Sequence, residues 1–318
     1  MRDHGGNMDM AIAHYGAGDW IDLSTGINRL PYPVPAFDPN LWQRLPTASD
    51  MSALLAAASA HYSCTAPVMA CAGAQAAIQM IPNLGRGLAR ILTPTYNEHA
   101  AALHSMGWQV EEVSDLPDLA GADLAVVVNP NNPDGRSFAP TDLIALLPVV
   151  GRLVVDESFG DIAPHLSTLP FAGRQGLIVL RSFGKFWGLA GLRLGLVFGD
   201  TTTIDALRAM AGPWPVAGPA LQIATAAYQN PDWADATRAR LAQDAAKMDD
   251  LAIGRGWGVV GGTDLFRLYD TPDATAAQDN LARHQIWSRI FPYSSSWIRL
   301  GPAGGADEWA RLTAAMRA

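Results

Sequence analysis

The sequence predicts an α/β fold, a mainly parallel sheet of about seven strands with a smaller α+β part at its C-terminal end. Three observations carry that expectation. Short apolar runs alternate with helix-like segments from Val68 to Phe198. The runs are continuous rather than alternating, as strands buried on both faces require. The texture changes after Gly199, where Pro213, Pro215 and Pro219 bound a junction. With 318 residues, 49% hydrophobic and 16% charged, the chain has room for a large core and one to two domains.

Taken in order, residues 1–40 are rich in Gly, Asn and Pro and end in the cluster Pro31, Pro33, Pro35. They read as an extended arm with little regular structure, packing on both domains. Residues 50–62 are alanine-rich behind a capping-type Asp50 and read as a helix. The strand-like runs follow: V-M-A-C-A (68–72), A-R-I-L-T (89–93), W-Q-V-E-E-V (108–113), L-A-V-V-V (124–128), L-V-V-D (153–156), L-I-V-L (177–180) and L-G-L-V-F (194–198). Helices are expected at 75–81, 98–106 and 141–150 between them. Beyond the junction, 220–229 and 232–255 look helical, 258–260, 265–269 and 297–300 look extended, and 307–316 closes the chain. The domain plan is thus an arm (1–40), a large domain (41–212) and a small domain (213–318).

A net charge of -8 and a pI near 5.3 argue against a nucleic-acid face. No stretch has the roughly 18 consecutive apolar residues of a membrane span, and M-R-D-H-G-G-N has no apolar signal core. Cys64 and Cys71 lack the spacing of a zinc site or a disulfide framework, so they read as buried thiols of a cytoplasmic protein. The seven histidines show no metal spacing and read mostly as surface or capping residues.

The chemistry centres on S-F-G-K-F-W-G-L-A-G-L-R-L-G (182–195), which opens just after a strand-like run. Lys185 is held there between glycines and aromatics, a setting that suits a Schiff-base lysine, with Ser182 and Arg193 able to take a cofactor phosphate. S-x-x-K alone would equally suit an ordinary surface loop. Asp156 ends R-L-V-V-D-E, a carboxylate at the carboxyl end of a buried strand, where α/β sheets bind ligands. N-P-N-N-P-D-G (129–135) makes a tight turn after another strand. G-A-Q-A-A (73–77) joins a strand to a helix, whose first N–H groups are ready anion donors. Arg289 and Arg299, both near the C-terminus, suggest a ligand with two anionic groups.

The lysine segment resembles that of the fold-type-I pyridoxal-phosphate (PLP) enzymes, the aspartate aminotransferase superfamily. That resemblance implies PLP on Lys185, with its phosphate held by Ala74, Gln75, Ser182 and Arg193. It further implies Asp156 at the pyridine nitrogen, Asn132 at the phenolic oxygen and Tyr96 stacked on the ring. Two positions depart from the pattern. D-E-S-F has Phe159 where the family carries a tyrosine, and R-L-P has Leu45 where an R-Y-P tyrosine reaches the partner subunit. The arm, H-G-G-N (4–7) with W-I-D-L-S-T-G-I-N-R-L-P-Y-P (20–33), resembles the opening of the threonine-phosphate decarboxylases of cobalamin biosynthesis. Histidinol-phosphate aminotransferases typically open instead with an L-N-x-N-E-x-P-type segment. The resemblance implies a homodimer acting on a small phosphorylated amino acid, with His4, Gly5, Asn28, Asn132, Arg289 and Arg299 contacting substrate. A histidinol-phosphate-type aminotransferase, an O-phosphoserine decarboxylase and a non-catalytic PLP-fold regulator are the alternatives. The motifs do not separate decarboxylation from transamination.

Overall fold

A computed structural model describes residues 4–317. They form two compact units: a larger one of Tyr32–Asn132 and Arg136–Ala234, and a smaller one of the chain up to Pro31, Pro133–Gly135, and the chain from Asp235 on.

Among the described residues, the larger unit holds a seven-stranded sheet. Its order is Val68–Cys71, Gly195–Gly199, Leu177–Ser182, Leu153–Asp156, Leu124–Val128, Leu88–Leu92, Gln109–Val113. Neighbours are parallel except at Gly195–Gly199, which runs antiparallel to both strands beside it. Strands Leu124–Val128, Leu153–Asp156 and Gly195–Gly199 are buried along their whole length. That is why their sequences are unbroken apolar runs: neither face meets water. Helices Ala74–Met80, Glu98–Ser105 and Thr201–Ala211 cover one face, where Ala77, Ile78, Leu103, Ile204 and Leu207 pack with Met69, Ile91, Val126, Val154 and Val197. Each buried Val, Leu or Ile there contributes about 1.5–3 kcal/mol relative to exposure.

The smaller unit is built on an antiparallel sheet in the order Arg289–Phe291, Ser294–Leu300, Phe266–Asp270, Gly258–Thr263. Its core joins Leu23, Met248, Trp257, Tyr269, Leu281, Ile298 and Trp309. Among the described residues, no helix is long and apolar enough to cross a membrane.

Several elements differ from expectation. The arm is not simply extended: Met8–Tyr15 is a helix, and Ile21–Asp22 pairs in parallel with Ile286–Trp287. The helix is short but has both end signals. The Asn7 side chain accepts from Met10 N at one end, and Gly16 stops the other. Helix Ala48–His61 starts earlier than predicted, because Thr47 is its N-cap and Asp50 supplies the reciprocal half of a capping box. The segment expected as helix 141–150 splits into Pro140–Ile144 and a single 3-10 turn, Leu147–Val149. Pro148, which has no N–H to donate, cannot continue the α-helix. Ala274–Arg283 is a further helix, capped by Asp273, whose side chain accepts from Ala276 N. Residues 213–234 cluster with the larger unit rather than with the residues after them. Helix Gly218–Tyr228 packs against Ala48–His61, and Gly218 lies against Leu41.

Candidate active site

Strand ends and one helix start meet at a cavity of the larger unit. Strand Leu153–Asp156 ends with the Asp156 side chain facing this cavity. Strand Leu177–Ser182 ends at Ser182, and the single helical turn Phe183–Phe186 that follows carries Lys185. Arg193 then adopts the left-handed conformation (φ 52°, ψ 54°) that turns the chain back into Gly195–Gly199. A non-glycine residue held there is strained, a feature that gathers at functional sites.

Two glycines let the helix start and this arginine approach. Gly73 has φ +80°, and a Cβ on it would lie 2.7 Å from Arg193 Nη2. A Cβ on Gly195 would lie 2.4 Å from Ala74 N. The first N–H groups of helix Ala74–Met80 therefore stand beside Ser182 and Arg193 at the cavity wall, an anion cradle.

Asp156 is buried and engaged through both oxygens. Oδ2 lies 2.8 Å from His99 Nε2, and Oδ1 accepts from Ser158 N (3.0 Å) and Ser158 Oγ (2.6 Å). Burial is the largest single influence on this carboxyl and pushes its pKa up. The bonds and charge of His99 and the Ser158 bonds outweigh it, holding the group below its ordinary range. It is thus an ionised acceptor at the cavity wall. Tyr96 OH donates to Gln75 Oε1 (3.1 Å), and Gln75 Nε2 donates to Glu98 Oε2 (3.0 Å). This chain of bonds sets the tilt of the Tyr96 ring and leaves Gln75 to serve an anion through its backbone.

In N-P-N-N-P-D-G, Asn129 bonds Phe138 and Leu166 backbone, and Asn131 bonds Thr95 and Pro94. These two hold the turn while Asn132 lines the cavity. Phe159 forms an apolar wall, with Lys185 Nζ 5.4 Å above its ring. Ala74, Gln75, Tyr96, Asn132, Asp156, Ser182, Lys185 and Arg193 all line this one cavity. The donor set fits PLP: an anion cradle, an ionised acceptor for a pyridinium N–H, a flanking aromatic and an amine.

His4, Gly5 and Arg289 line a cavity of the smaller unit. Gly5 is required there, since a Cβ would lie 2.4 Å from Ser24 O. Gly6 N donates to Ser24 Oγ (2.7 Å), and Arg299 Nη2 donates to Ser24 O (2.8 Å), so Ser24 ties the arm to the sheet. Arg289 and Arg299 are direct partners across their antiparallel strands. Burial above all, and then the Arg289 charge, push the Arg299 pKa down to about 10. Asn28 is buried and does not line that cavity. Its Oδ1 accepts from Arg240 Nη2 (2.7 Å) and Leu30 N (3.1 Å), which fixes which way its amide points.

Three contributors escaped the sequence reading. His99, one of seven histidines that read mostly as surface or capping residues, is buried against Asp156. Its place three residues after Tyr96, on the first turn of a helix, was the one local signal. Ser158 sits inside the D-E-S-F motif itself. Arg240 had no local signal, because its contact lies 212 residues away in sequence.

Residues 47–315 match the family model for aminotransferase class I and II. The chain belongs to that family. Among relatives, the threonine-phosphate decarboxylase of Pseudomonas aeruginosa is 41% identical over 326 residues, covering 99% of this chain and 97% of that one. A histidinol-phosphate aminotransferase of Cronobacter sakazakii is 30% identical over 185 residues, 54% of this chain and 51% of that one. The solved histidinol-phosphate aminotransferase of Sinorhizobium meliloti, in complex with pyridoxal-5'-phosphate, shares the fold of this family member with a TM-score of 0.81. That match has 17% identity and covers 97% of this chain and 94% of that one.

Proposed function

We propose that this family member is a PLP-dependent decarboxylase that converts O-phospho-L-threonine to (R)-1-aminopropan-2-yl phosphate and CO2, for cobalamin biosynthesis. The observation that carries this reading is the extent of likeness. The decarboxylase matches over 99% of the chain, arm and terminal arginines included, whereas the histidinol-phosphate aminotransferase matches about half of it.

Lys185 Nζ, which faces the cavity, is the amine that would hold the cofactor. The backbone of Ala74 and Gln75, with Ser182 and Arg193, receives the cofactor phosphate. Asp156 would keep a proton on the pyridine nitrogen, Tyr96 would cover the ring face, and Asn132 would bond the phenolic oxygen. The chemistry that PLP would supply when bound is an electron sink for the carbanion left at Cα by loss of the carboxylate as CO2. Lys185 Nζ then supplies the proton that takes the carboxylate's place. By the same likeness, His4, Gly5, Asn28, Arg289 and Arg299 of the smaller unit are the residues that take the substrate's phosphate and carboxylate. The absence of a tyrosine at Phe159 leaves Asn132 as the motif's donor to the phenolic oxygen.

The working form is a homodimer in the cytoplasm. Trp42, Leu45 and Trp214, large apolar side chains on the surface of the larger unit, support the first point. Two buried free thiols agree with the second.

Incubation with O-phosphothreonine and O-phosphoserine, followed by product analysis, tests the reaction. CO2 and aminopropanol phosphate should form from phosphothreonine with no keto acid added. Turnover that stops without a keto-acid acceptor would make the protein an aminotransferase instead.

A further inference from the structure

Behind the cavity of the larger unit lies a closed cluster of charges. Side chains alternate along strands. Asp156 and Ser182 therefore face the cavity, while Glu157, which directly follows Asp156, and Arg181, which directly precedes Ser182, face away from it. Glu157, Arg181 and Asp161 are 0%, 2% and 3% exposed. Arg181 Nη2 lies 2.9 Å from Glu157 Oε2 and donates to Ser167 Oγ at 2.9 Å, while Nη1 reaches Asp161 Oδ1 at 3.4 Å. Glu157 Oε1 accepts from Thr168 N (2.6 Å) and Thr168 Oγ1 (2.7 Å). The guanidinium carbon lies 4.6 Å from the centre of the Tyr62 ring, and Tyr62 OH donates to Asp161 Oδ1 (2.9 Å). A Cβ on Gly160 would lie 2.6 Å from Arg181 Nη1, so the segment after Asp156 is closed down onto this one guanidinium.

We propose that Arg181 is a positioning residue for the cofactor site. Its fork holds Glu157 and Asp161, and through their backbone it fixes the ends of the two strands that present Asp156 on one side and Ser182 and Lys185 on the other. The proposal rests on the PLP reading above. A buried ion pair is poor support for stability alone, since apolar side chains of similar volume replace it at little loss. What a planar fork supplies and an apolar chain cannot is a fixed geometry between two chain segments. Cofactor binding needs that geometry, because displacing a binding group by about an ångström is costly.

The test compares purified wild-type holoenzyme with Arg181→Met, with Arg181→Met combined with Glu157→Gln, and with Arg181→Lys. Three quantities are read: the PLP dissociation constant, the pH midpoint of the bound cofactor's visible absorption, and the thermal midpoint. In both methionine variants the dissociation constant should rise on the order of tenfold or more and the pH midpoint should move. The double variant, with one charge of each sign removed, should recover thermal stability but not cofactor affinity. Arg181→Lys should fall between it and wild type. A folded methionine variant with wild-type cofactor constant and pH midpoint overturns the proposal, however far its thermal midpoint has dropped. If neither methionine variant folds, Arg181→Lys decides, and wild-type cofactor behaviour in that variant overturns it. Wild-type protein that holds no PLP overturns the cofactor reading itself, and this proposal with it.

Discussion

Arg289 and Arg299 face each other across an antiparallel pair, and like charges so placed disfavour each other. Burial is the first cause of the downward push on the Arg299 pKa, and the Arg289 charge adds to it. An anion near both relieves it, so this pair is better suited to a ligand than to the fold. Arg299→Lys should keep the cofactor and its colour, since the residue lies outside the cofactor cavity. Lysine offers a point charge where a carboxylate calls for a planar fork, and a charge-assisted bond is worth roughly 1.5–3 kcal/mol. The loss should therefore be about 10- to 100-fold in kcat/KM, read from steady-state kinetics on phosphothreonine. Unchanged kcat/KM would take Arg299 out of the substrate site. Arg240 acts one step further back. Its bond to Asn28 Oδ1 decides which end of that amide can meet an anion. Arg240→Met should loosen the amide, leaving Leu30 N as the other donor to Oδ1, and raise KM several-fold while kcat holds, with PLP content the same as wild type. A fall in kcat with KM unchanged would refute that role.

At the scale of elements, the site depends on a helix start brought against a strand and an arginine. Gly73 permits this through its positive φ and its missing Cβ. Gly73→Ala should therefore weaken PLP binding, about tenfold as the added carbon pushes the Arg193 guanidinium out of the cradle. Gly191, in the same lysine segment, has open space where its Cβ would be, so Gly191→Ala should bind PLP like wild type. Fluorescence titration of the two variants gives the comparison, and equal affinities would remove Gly73 from the cradle. These elements were legible in sequence because each is local: a strand run, a turn signal and a chemical residue within one short segment. Lys185 with Ser182 and Arg193, Asp156 at its strand end, and Asn132 in its turn were all visible in that way. The groups that orient them were not. His99 reaches Asp156, Gln75 reaches Glu98, and Arg240 reaches Asn28 through tertiary folding, and no window of sequence holds both partners. The arm helix was missed for another reason. Its glycine-rich flanks suggested a loop, although Asn7 and Gly16 are the caps of a helix between them.

At the scale of the whole molecule, the sheet could be anticipated strand by strand, but not the division into units, which returns to the smaller unit at Pro133–Gly135. Close approach makes that return: a Cβ on Gly135 would lie 2.1 Å from Gly262 O, a contact no composition reveals. Each unit has buried tyrosines, and these predict how the protein meets alkali. Burial is the largest cause raising the phenols of Tyr62 and Tyr228 in the larger unit and of Tyr269 in the smaller one above their ordinary 10.0. Asp161 beside Tyr62 and Tyr228, and Asp249 beside Tyr269, add to it. A phenol raised in the folded state binds its proton more tightly there than in the unfolded chain. Its contribution is complete below pH 10 and is lost as pH rises from there toward the folded value. Each such tyrosine should lower the unfolding free energy by about 1.4 kcal/mol per pH unit above pH 10. Denaturant melts at stepped alkaline pH, followed by tyrosinate absorbance, should therefore show steeply falling stability above pH 10, with part of the tyrosinate signal appearing only on unfolding. Smooth ionisation of every tyrosine near pH 10, with the fold intact, would mean that these phenols reach water.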